Sequence, residues 1–146
     1  MFYEEAIYLH QQQQWQLAEK KYQELLLWQP NNSLVWLQLG VLYYQIENYQ
    51  QSISAISKSL EIEPSSYGYY YQGLGLEKIN QIEQAIASYQ QAIKLDINFI
   101  DPYNNLGNLL NTKSEFEQAE TIYRQSISIN PNHWRSYINL GNLMLE

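Results

Sequence analysis

Apolar residues recur along this chain with the spacing of a helix rather than that of a strand. In WLQLGVLY (36–43) and YNNLGNLL (103–110) they return every third or fourth residue, which places them on one face of an α-helix. Short polar segments, such as IENY at 46–49 and KINQ at 78–81, separate these stretches. The pattern therefore predicts a chain built from many short amphipathic helices.

The pattern also repeats with a nearly constant period. Glycines lie 33, 34 and 34 residues apart, at Gly40, Gly73, Gly107 and Gly141. Four residues before each glycine stands an aromatic residue: Trp36, Tyr69, Tyr103 and Tyr137. Twelve residues after the first three glycines a small residue follows, and four residues later a bulky one: Ser52 and Ile56, Ala85 and Tyr89, Ala119 and Tyr123. Self-similarity at such a period is the signature of a repeat architecture.

Prolines mark the ends of most units. Pro30, Pro64 and Pro131 cannot continue a helix, so each predicts a break in the chain. The residues that follow, in PNN, PSS and PNH, are expected to supply N-cap side chains to the next helix. Each unit is thus predicted to be two helices joined by a polar turn.

These residues resemble the tetratricopeptide repeat, with its pattern W-x2-L-G-x2-Y…A-x3-F…P, over essentially the whole chain. The resemblance implies an all-α, right-handed superhelical solenoid of antiparallel helix pairs, with about four and a half repeats. A degenerate first repeat spans 1–32, full repeats span 33–65, 66–99 and 100–133, and a lone first helix spans 134–146. Within a repeat, the glycine and the small residue are expected to let the two backbones approach closely.

Composition narrows the class of partner. The net charge is −7 and the chain has no cysteine, which argues against a nucleic-acid binder and excludes disulfides. No apolar run approaches the ~20 residues that span a bilayer, and the acidic start MFYEEAIYLH does not resemble a signal peptide. We therefore expect a cytoplasmic protein whose partner is a protein or peptide, with no nucleic acid and no membrane.

No catalytic or metal-binding constellation stands out. The two histidines, His10 and His133, have no second ligand at metal-binding spacing, and both are expected to lie on the surface. The glycines near Gly73 lie within a predicted helix and lack the strand that precedes a phosphate loop. We expect this segment to be no enzyme, with no cofactor and no metal.

Function is then expected in the concave groove, which the first helix of each repeat lines in the family. Reading the family's groove positions onto this sequence predicts an aromatic and aliphatic half: Leu37, Gln38, Tyr44, Tyr70 and Tyr71. It predicts a second half made of amides: Asn104, Asn105, Asn108, Asn139 and Asn142. The last helix adds Arg135, Ile138, Leu145 and Glu146. Tyrosine offers a large rigid contact area, and asparagine offers the donor and acceptor that a peptide backbone also carries.

The NLGN stretches resemble, more narrowly, the repeats of O-linked N-acetylglucosamine transferases. There an asparagine in the sixth position of the repeat grips substrate backbone, and Asn105 and Asn139 match it. Gln38 and Tyr71 hold that position in the earlier repeats, so only two successive asparagines occupy it here. The carboxylate clamp that other members use for acidic tails needs lysines that this groove lacks, so we do not expect it.

Three functional interpretations remain open from the sequence. The first is a non-catalytic scaffold that binds an extended peptide or partner segment in the groove. The second is the N-terminal substrate-recruiting arm of a larger glycosyltransferase-like enzyme. The third is a self-associating scaffold, a homo-oligomer formed through the uncapped C-terminal helix, on which Leu140, Leu143 and Met144 are expected to be partly bare.

Overall fold

The computed structural model describes residues 2–145, which form nine α-helices and contain no strand. The helices are α1 (Phe2–Gln11), α2 (Trp15–Trp28), α3 (Ser33–Gln45), α4 (Tyr49–Ile62), α5 (Ser66–Lys78), α6 (Ile82–Leu95), α7 (Ile100–Thr112), α8 (Phe116–Ile129) and α9 (Trp134–Met144). This confirms the predicted all-α fold. Glu146, expected in the groove, lies outside the described residues.

The helices pack as consecutive pairs that stack into a two-layer array. Helices α1, α3, α5 and α7 each pack on the even-numbered helix that follows, each pair packs on the next, and α9 packs on α7 and α8. We call α1, α3, α5, α7 and α9 the A helices and the others the B helices. Neighbouring A helices also touch directly, as α3 does with α5 and α7 with α9. The A helices therefore form one continuous wall of the solenoid.

The turn from each A helix to its B helix has one shape in all four pairs. One residue in each turn adopts a left-handed conformation, with φ between 58° and 63°: Gln13, Glu47, Asn80 and Ser114. The next amide bonds back to a carbonyl five residues earlier, as from Asn48 N to Tyr43 O at 2.8 Å. This Schellman geometry satisfies carbonyls at the helix end and turns the chain sharply.

Side-chain caps begin two of the A helices, as predicted. The Asn32 side chain accepts a hydrogen bond from Val35 N at 3.2 Å, and Ser65 accepts one from Gly68 N at 3.0 Å. The prediction is wrong for His133, which makes no cap hydrogen bond. Its Nδ1 instead lies 2.9 Å from Ser136 Oγ, so the ring contacts its own first helical turn.

The framework glycines make room for a side chain rather than for a bare backbone. A Cβ at Gly107 would lie 2.3 Å from Cε1 of Tyr123, and one at Gly73 would lie 2.6 Å from Cε1 of Tyr89. Both rings are buried. The close approach expected between backbones is thus filled by the bulky residue of the B helix, which locks the two helices together.

Candidate functional site

A cavity of about 340 Å³ opens on the A-helix wall in the N-terminal half of the solenoid. It is lined by residues of α1, α3 and α5, with one side from the first turn and α2: Ile7, His10, Gln11, Gln13, Trp15, Gln38, Val41, Gln45, Tyr67 and Tyr71. Two predicted groove residues, Gln38 and Tyr71, therefore line one cavity. The helices that build it belong to three successive repeats, so its shape depends on their stacking.

His10 forms one side of this cavity and is buried, which corrects the expectation of a surface histidine. Its side chain is 8% exposed, with Nδ1 2.9 Å from the Tyr22 hydroxyl and Nε2 2.6 Å from Gln45 Oε1. Gln45 Oε1 can only accept, so Nε2 carries the proton and the Tyr22 hydroxyl donates to Nδ1. Burial lowers the pKa of His10, although the bond to Gln45 opposes that shift. The neutral ring therefore ties the first repeat to the second.

Next to the cavity lies an aromatic belt, which we define as Tyr44, Tyr67, Tyr70, Tyr71 and Phe99. Tyr71 contacts Tyr44, Tyr67 and Tyr70, and Phe99 contacts Tyr67 and Tyr70, with ring centroids 4.9 to 6.2 Å apart. Most of these pairs are tilted or edge-to-face, the arrangement that the ring quadrupole favours. The belt joins three predicted site residues, Tyr44, Tyr70 and Tyr71, into one surface.

The phenols of Tyr70 and Tyr71 are neutral, and two carboxylates lie near Tyr70. Burial, together with the nearby Asp101 and Glu77 carboxylates, raises the pKa of Tyr70 to about 12. Burial also raises the pKa of Tyr71, with the Tyr67 hydroxyl as the next cause. The hydroxyls therefore stay protonated at neutral pH and can donate hydrogen bonds to a ligand.

Two predicted groove residues, Leu37 and Asn104, are buried, which corrects the prediction for both. Leu37 is 6% exposed and packs with Ile56 and Leu60. Asn104 is 8% exposed, and its Oδ1 accepts a hydrogen bond from Ser136 Oγ at 3.3 Å. Both are the fifth residue of their repeat, but Tyr70 and Ile138 hold the same position and stay accessible, so burial depends on the neighbours in each repeat.

Three predicted amides do stay available for a ligand. The side chains of Asn105, Asn139 and Asn142 make no hydrogen bond to any residue within 2–145, and none of them is buried. Asn105 and Asn139 occupy the same position in their repeats as Gln38 and Tyr71, which line the cavity. Because α7 and α9 pack directly on each other, these amides continue the A-helix wall toward the C-terminus.

Asn108 is only partly available. Its Oδ1 accepts a hydrogen bond from the Tyr123 hydroxyl at 2.5 Å, and burial raises the pKa of Tyr123 to about 12. The side chain is exposed, so its amide nitrogen remains free to donate. One turn further along α7, Asn111 Oδ1 is buried without a hydrogen-bond partner among the described residues. The two amides thus differ, one anchored by its oxygen and one not.

Phe99 is a site residue that sequence reasoning missed. It precedes α7 in the position where Asn32 and Ser65 cap α3 and α5, and it makes no cap hydrogen bond itself. Its ring contacts Tyr67 and Tyr70 instead. An aromatic residue in a capping position was the available signal, since it cannot serve as a cap.

Two kinds of feature are absent from residues 2–145. Within this range no group of three or more histidine, aspartate and glutamate side chains is placed to hold a metal ion. None of the helices in the same range combines the length and the apolar character that crossing a membrane requires.

Several solved structures resemble the chain closely in shape. The match to the crystal structure of MamA protein covers 99% of this chain and 79% of the MamA chain, with a TM-score of 0.90 and 26% sequence identity. The match to YrrB, a TPR protein with an unusual peptide-binding site, covers 96% of this chain and 73% of the YrrB chain, with a TM-score of 0.82 and 20% sequence identity. The match to the first TPR of Spaghetti (RPAP3), bound to the HSP90 peptide SRMEEVD, covers 77% of this chain and 90% of the Spaghetti chain. Its TM-score is 0.73 and the sequence identity is 17%.

Sequence comparison leads to the same repeat. Human tetratricopeptide repeat protein 13 is 32% identical over 69 residues, which are 47% of this chain and 8% of that protein. The chain therefore spans less than a tenth of that relative's length. One model described as a tetratricopeptide repeat matches residues 34–66 and 100–133, and another described as a TPR repeat matches 78–114. Together these matches cover more than half of the chain, which thus belongs to the tetratricopeptide repeat family.

Proposed function

We propose that this chain is a non-catalytic interaction module that binds an extended peptide segment along its A-helix wall. The observation that carries the proposal is the cavity between α1, α3 and α5, where Gln38 and Tyr71 lie beside the neutral His10. Asn105 and Asn139 extend the same wall with amides that lack partners among the described residues. An unpaired amide of this kind gains most from a ligand that supplies both a donor and an acceptor.

A peptide main chain is such a ligand. An asparagine side chain presents a donor and an acceptor side by side, which matches one peptide group of an extended segment. The resemblance of Asn105 and Asn139 to the backbone-gripping asparagines of O-linked N-acetylglucosamine transferases supports the same interpretation. Contacts of this type favour a segment that is extended, with little dependence on its side chains.

Two similar folds support a peptide as the ligand. YrrB has a peptide-binding site, and the Spaghetti repeat is seen with a bound peptide. Such a fold can therefore hold a peptide, while the residues that would do so here are those of this chain's own wall.

The test is the double substitution Asn105→Ala with Asn139→Ala, and its binding is measured on an array of unrelated extended peptides. We expect affinity to fall about tenfold, to a similar extent for each peptide, because two backbone contacts at about 0.5–1.5 kcal/mol each are lost. The matched control is Asn31→Ala with Asn132→Ala, two exposed asparagines in the turns between repeats. Unchanged binding by the Asn105 and Asn139 variant would refute the proposal that these two side chains bind the peptide backbone.

A second candidate function is self-association through α9. Apolar side chains are exposed on this helix and just after it: Trp134, Tyr137, Ile138, Met144 and Leu145. Leu143, which was expected to be bare, is buried in the core with Leu110 and Tyr123, so that expectation was wrong. The exposed residues would gain from contact with a second apolar surface.

Two predictions from the sequence stay proposals. One is the role of substrate-recruiting arm in a larger glycosyltransferase-like enzyme, and the other is a cytoplasmic location. A catalytic domain in the same open reading frame would support the enzyme role. Its absence from the full gene would remove that role and leave the binding module unaffected.

A further inference from the structure

The aromatic belt is more than internal packing, because part of it reaches the groove. Tyr67 is 44% exposed, and the side chains of Tyr70, Tyr71 and Phe99 are half-buried. The Tyr67 ring contacts both Tyr71 and Phe99, so the belt runs from α5 to the start of α7 across the boundary of two repeats. Its rings therefore present both faces and edges next to the cavity.

Two carboxylates flank this surface. Asp101 lies in the first turn of α7, two residues after Phe99, and Glu77 lies two helical turns after Tyr70 on the same face of α5. Glu77 Oε2 accepts a hydrogen bond from the Tyr89 hydroxyl at 2.7 Å. Neither carboxylate forms an ion pair with any residue within 2–145. The belt thus has negative charge at its border that the described residues leave unpaired.

Carboxylates act on two tyrosines of the belt. Burial is the main cause of the raised pKa of Tyr70 and Tyr44; Asp101 and Glu77 add to it at Tyr70, and Glu77 adds to it at Tyr44. The basic residues nearest to the belt in the sequence are Lys94, five residues before Phe99, and Lys78, next to Glu77; both are exposed and neither forms an ion pair within 2–145. A cation brought to the rings would therefore be attracted by the Asp101 and Glu77 carboxylates.

We propose that the aromatic belt, with Asp101 and Glu77 at its border, holds an arginine or lysine side chain of the bound peptide segment. A cation over a tyrosine face is attracted by the ring quadrupole, and a guanidinium also stacks on the ring plane. The two carboxylates then pair with its N–H groups. This inference rests on the proposed peptide-binding function and adds a side-chain preference to it.

The test uses one peptide in four versions, otherwise of glycine and serine, with arginine, lysine, citrulline or glutamate at the centre. Citrulline keeps the shape of arginine and removes its charge. Fluorescence anisotropy at low and high salt would measure each affinity. We expect the arginine peptide to bind about five- to twentyfold more tightly than the citrulline peptide, with the difference shrinking at high salt.

Variants locate the effect. Asp101→Asn should weaken the arginine peptide about two- to fivefold and leave the citrulline peptide unchanged. Glu117→Gln is the matched control, because Glu117 is an exposed carboxylate at the same place in the first turn of α8. It removes the same unit of charge away from the belt. Tyr67→Leu removes the most exposed belt ring and should reduce the preference for arginine by about two- to fivefold.

The outcomes separate this inference from the proposed function. If all four peptides bind equally and Asp101→Asn has no effect, the cation site is wrong and peptide binding stands. If Asp101→Asn and Glu117→Gln weaken the arginine peptide equally, the effect is long-range charge and the site is again wrong. If no version binds at any concentration, both the inference and the proposed function are overturned.

Discussion

Gly107 and Gly141 hold the same position in successive repeats but lie in different surroundings. At Gly107 a Cβ would meet the Tyr123 ring at 2.3 Å, whereas at Gly141 it would meet no described atom within 4 Å. A rigid buried ring cannot move aside easily, so the glycine at 107 is required by packing. The glycine at 141 has no such packing requirement among the described residues.

This difference predicts opposite effects of one substitution. Gly107→Ala should lower the free energy of unfolding by about 1–3 kcal/mol, the usual cost of overpacking a core. Gly141→Ala should raise it by about 0.5–1 kcal/mol, because alanine is the better helix former. Urea unfolding of both variants measures the two changes. Equal destabilisation by both would show that the framework glycine acts through its backbone rather than through the Tyr123 contact.

Single residues also show where prediction from the sequence stops. The periodic framework, such as Trp36, Gly40 and Ile56, could be predicted because the spacing repeats. The burial of His10 could not, because its partners Tyr22 and Gln45 lie 12 and 35 residues away. Position within the repeat predicts a groove role for Leu37, yet its burial depends on neighbours that differ from repeat to repeat.

At the scale of the element, the turn that joins the A and B helices of each repeat strains one residue. Left-handed φ values cost a residue with a Cβ roughly 1–2 kcal/mol, and asparagine tolerates them best. Glu47 and Asn80 hold this conformation in equivalent turns. The polar turns were predicted from composition, but the strained position within them was not, because glutamate and glutamine give no signal for it.

Relief of this strain should depend on the residue replaced. Glu47→Gly is expected to stabilise the chain by about 0.5–1 kcal/mol, since glycine adopts the conformation freely but loses more entropy on folding. Asn80→Gly, the matched control, should gain markedly less. Thermal unfolding of the two variants compares them. A larger gain at Asn80 than at Glu47 would contradict the explanation.

At the scale of the whole molecule, the two halves of the A-helix wall have different chemistry. The N-terminal half carries the cavity and most of the aromatic belt, and the C-terminal half carries the unpaired amides of α7 and α9. The family's groove positions, read onto the sequence, predicted this order along the chain. They could not predict that Asn104 would be covered by Ser136, because that contact joins two successive repeats.

Exposed apolar residues near the C-terminal end of α9 predict association of whole molecules. Light scattering should show a mass that rises with concentration, and Met144→Glu with Leu145→Glu should hold the protein as a monomer. Leu143 is buried, so Leu143→Glu would destabilise the fold and cannot serve as this test. A wild-type protein that stays monomeric over a hundredfold range of concentration, as an order-of-magnitude test of association, would rule out this candidate.

The central claim is that the A-helix wall binds an extended peptide. It is tested most directly by titrating the isotope-labelled protein with the central-arginine peptide and following side-chain and backbone amide shifts by NMR. We expect the largest changes at Gln38, Asn105 and Asn139 and at the belt residues Tyr67 and Tyr71, with the B helices nearly unaffected apart from Trp15, which lines the cavity. Changes confined to α2 and α4, or none at saturating peptide, would contradict the claim.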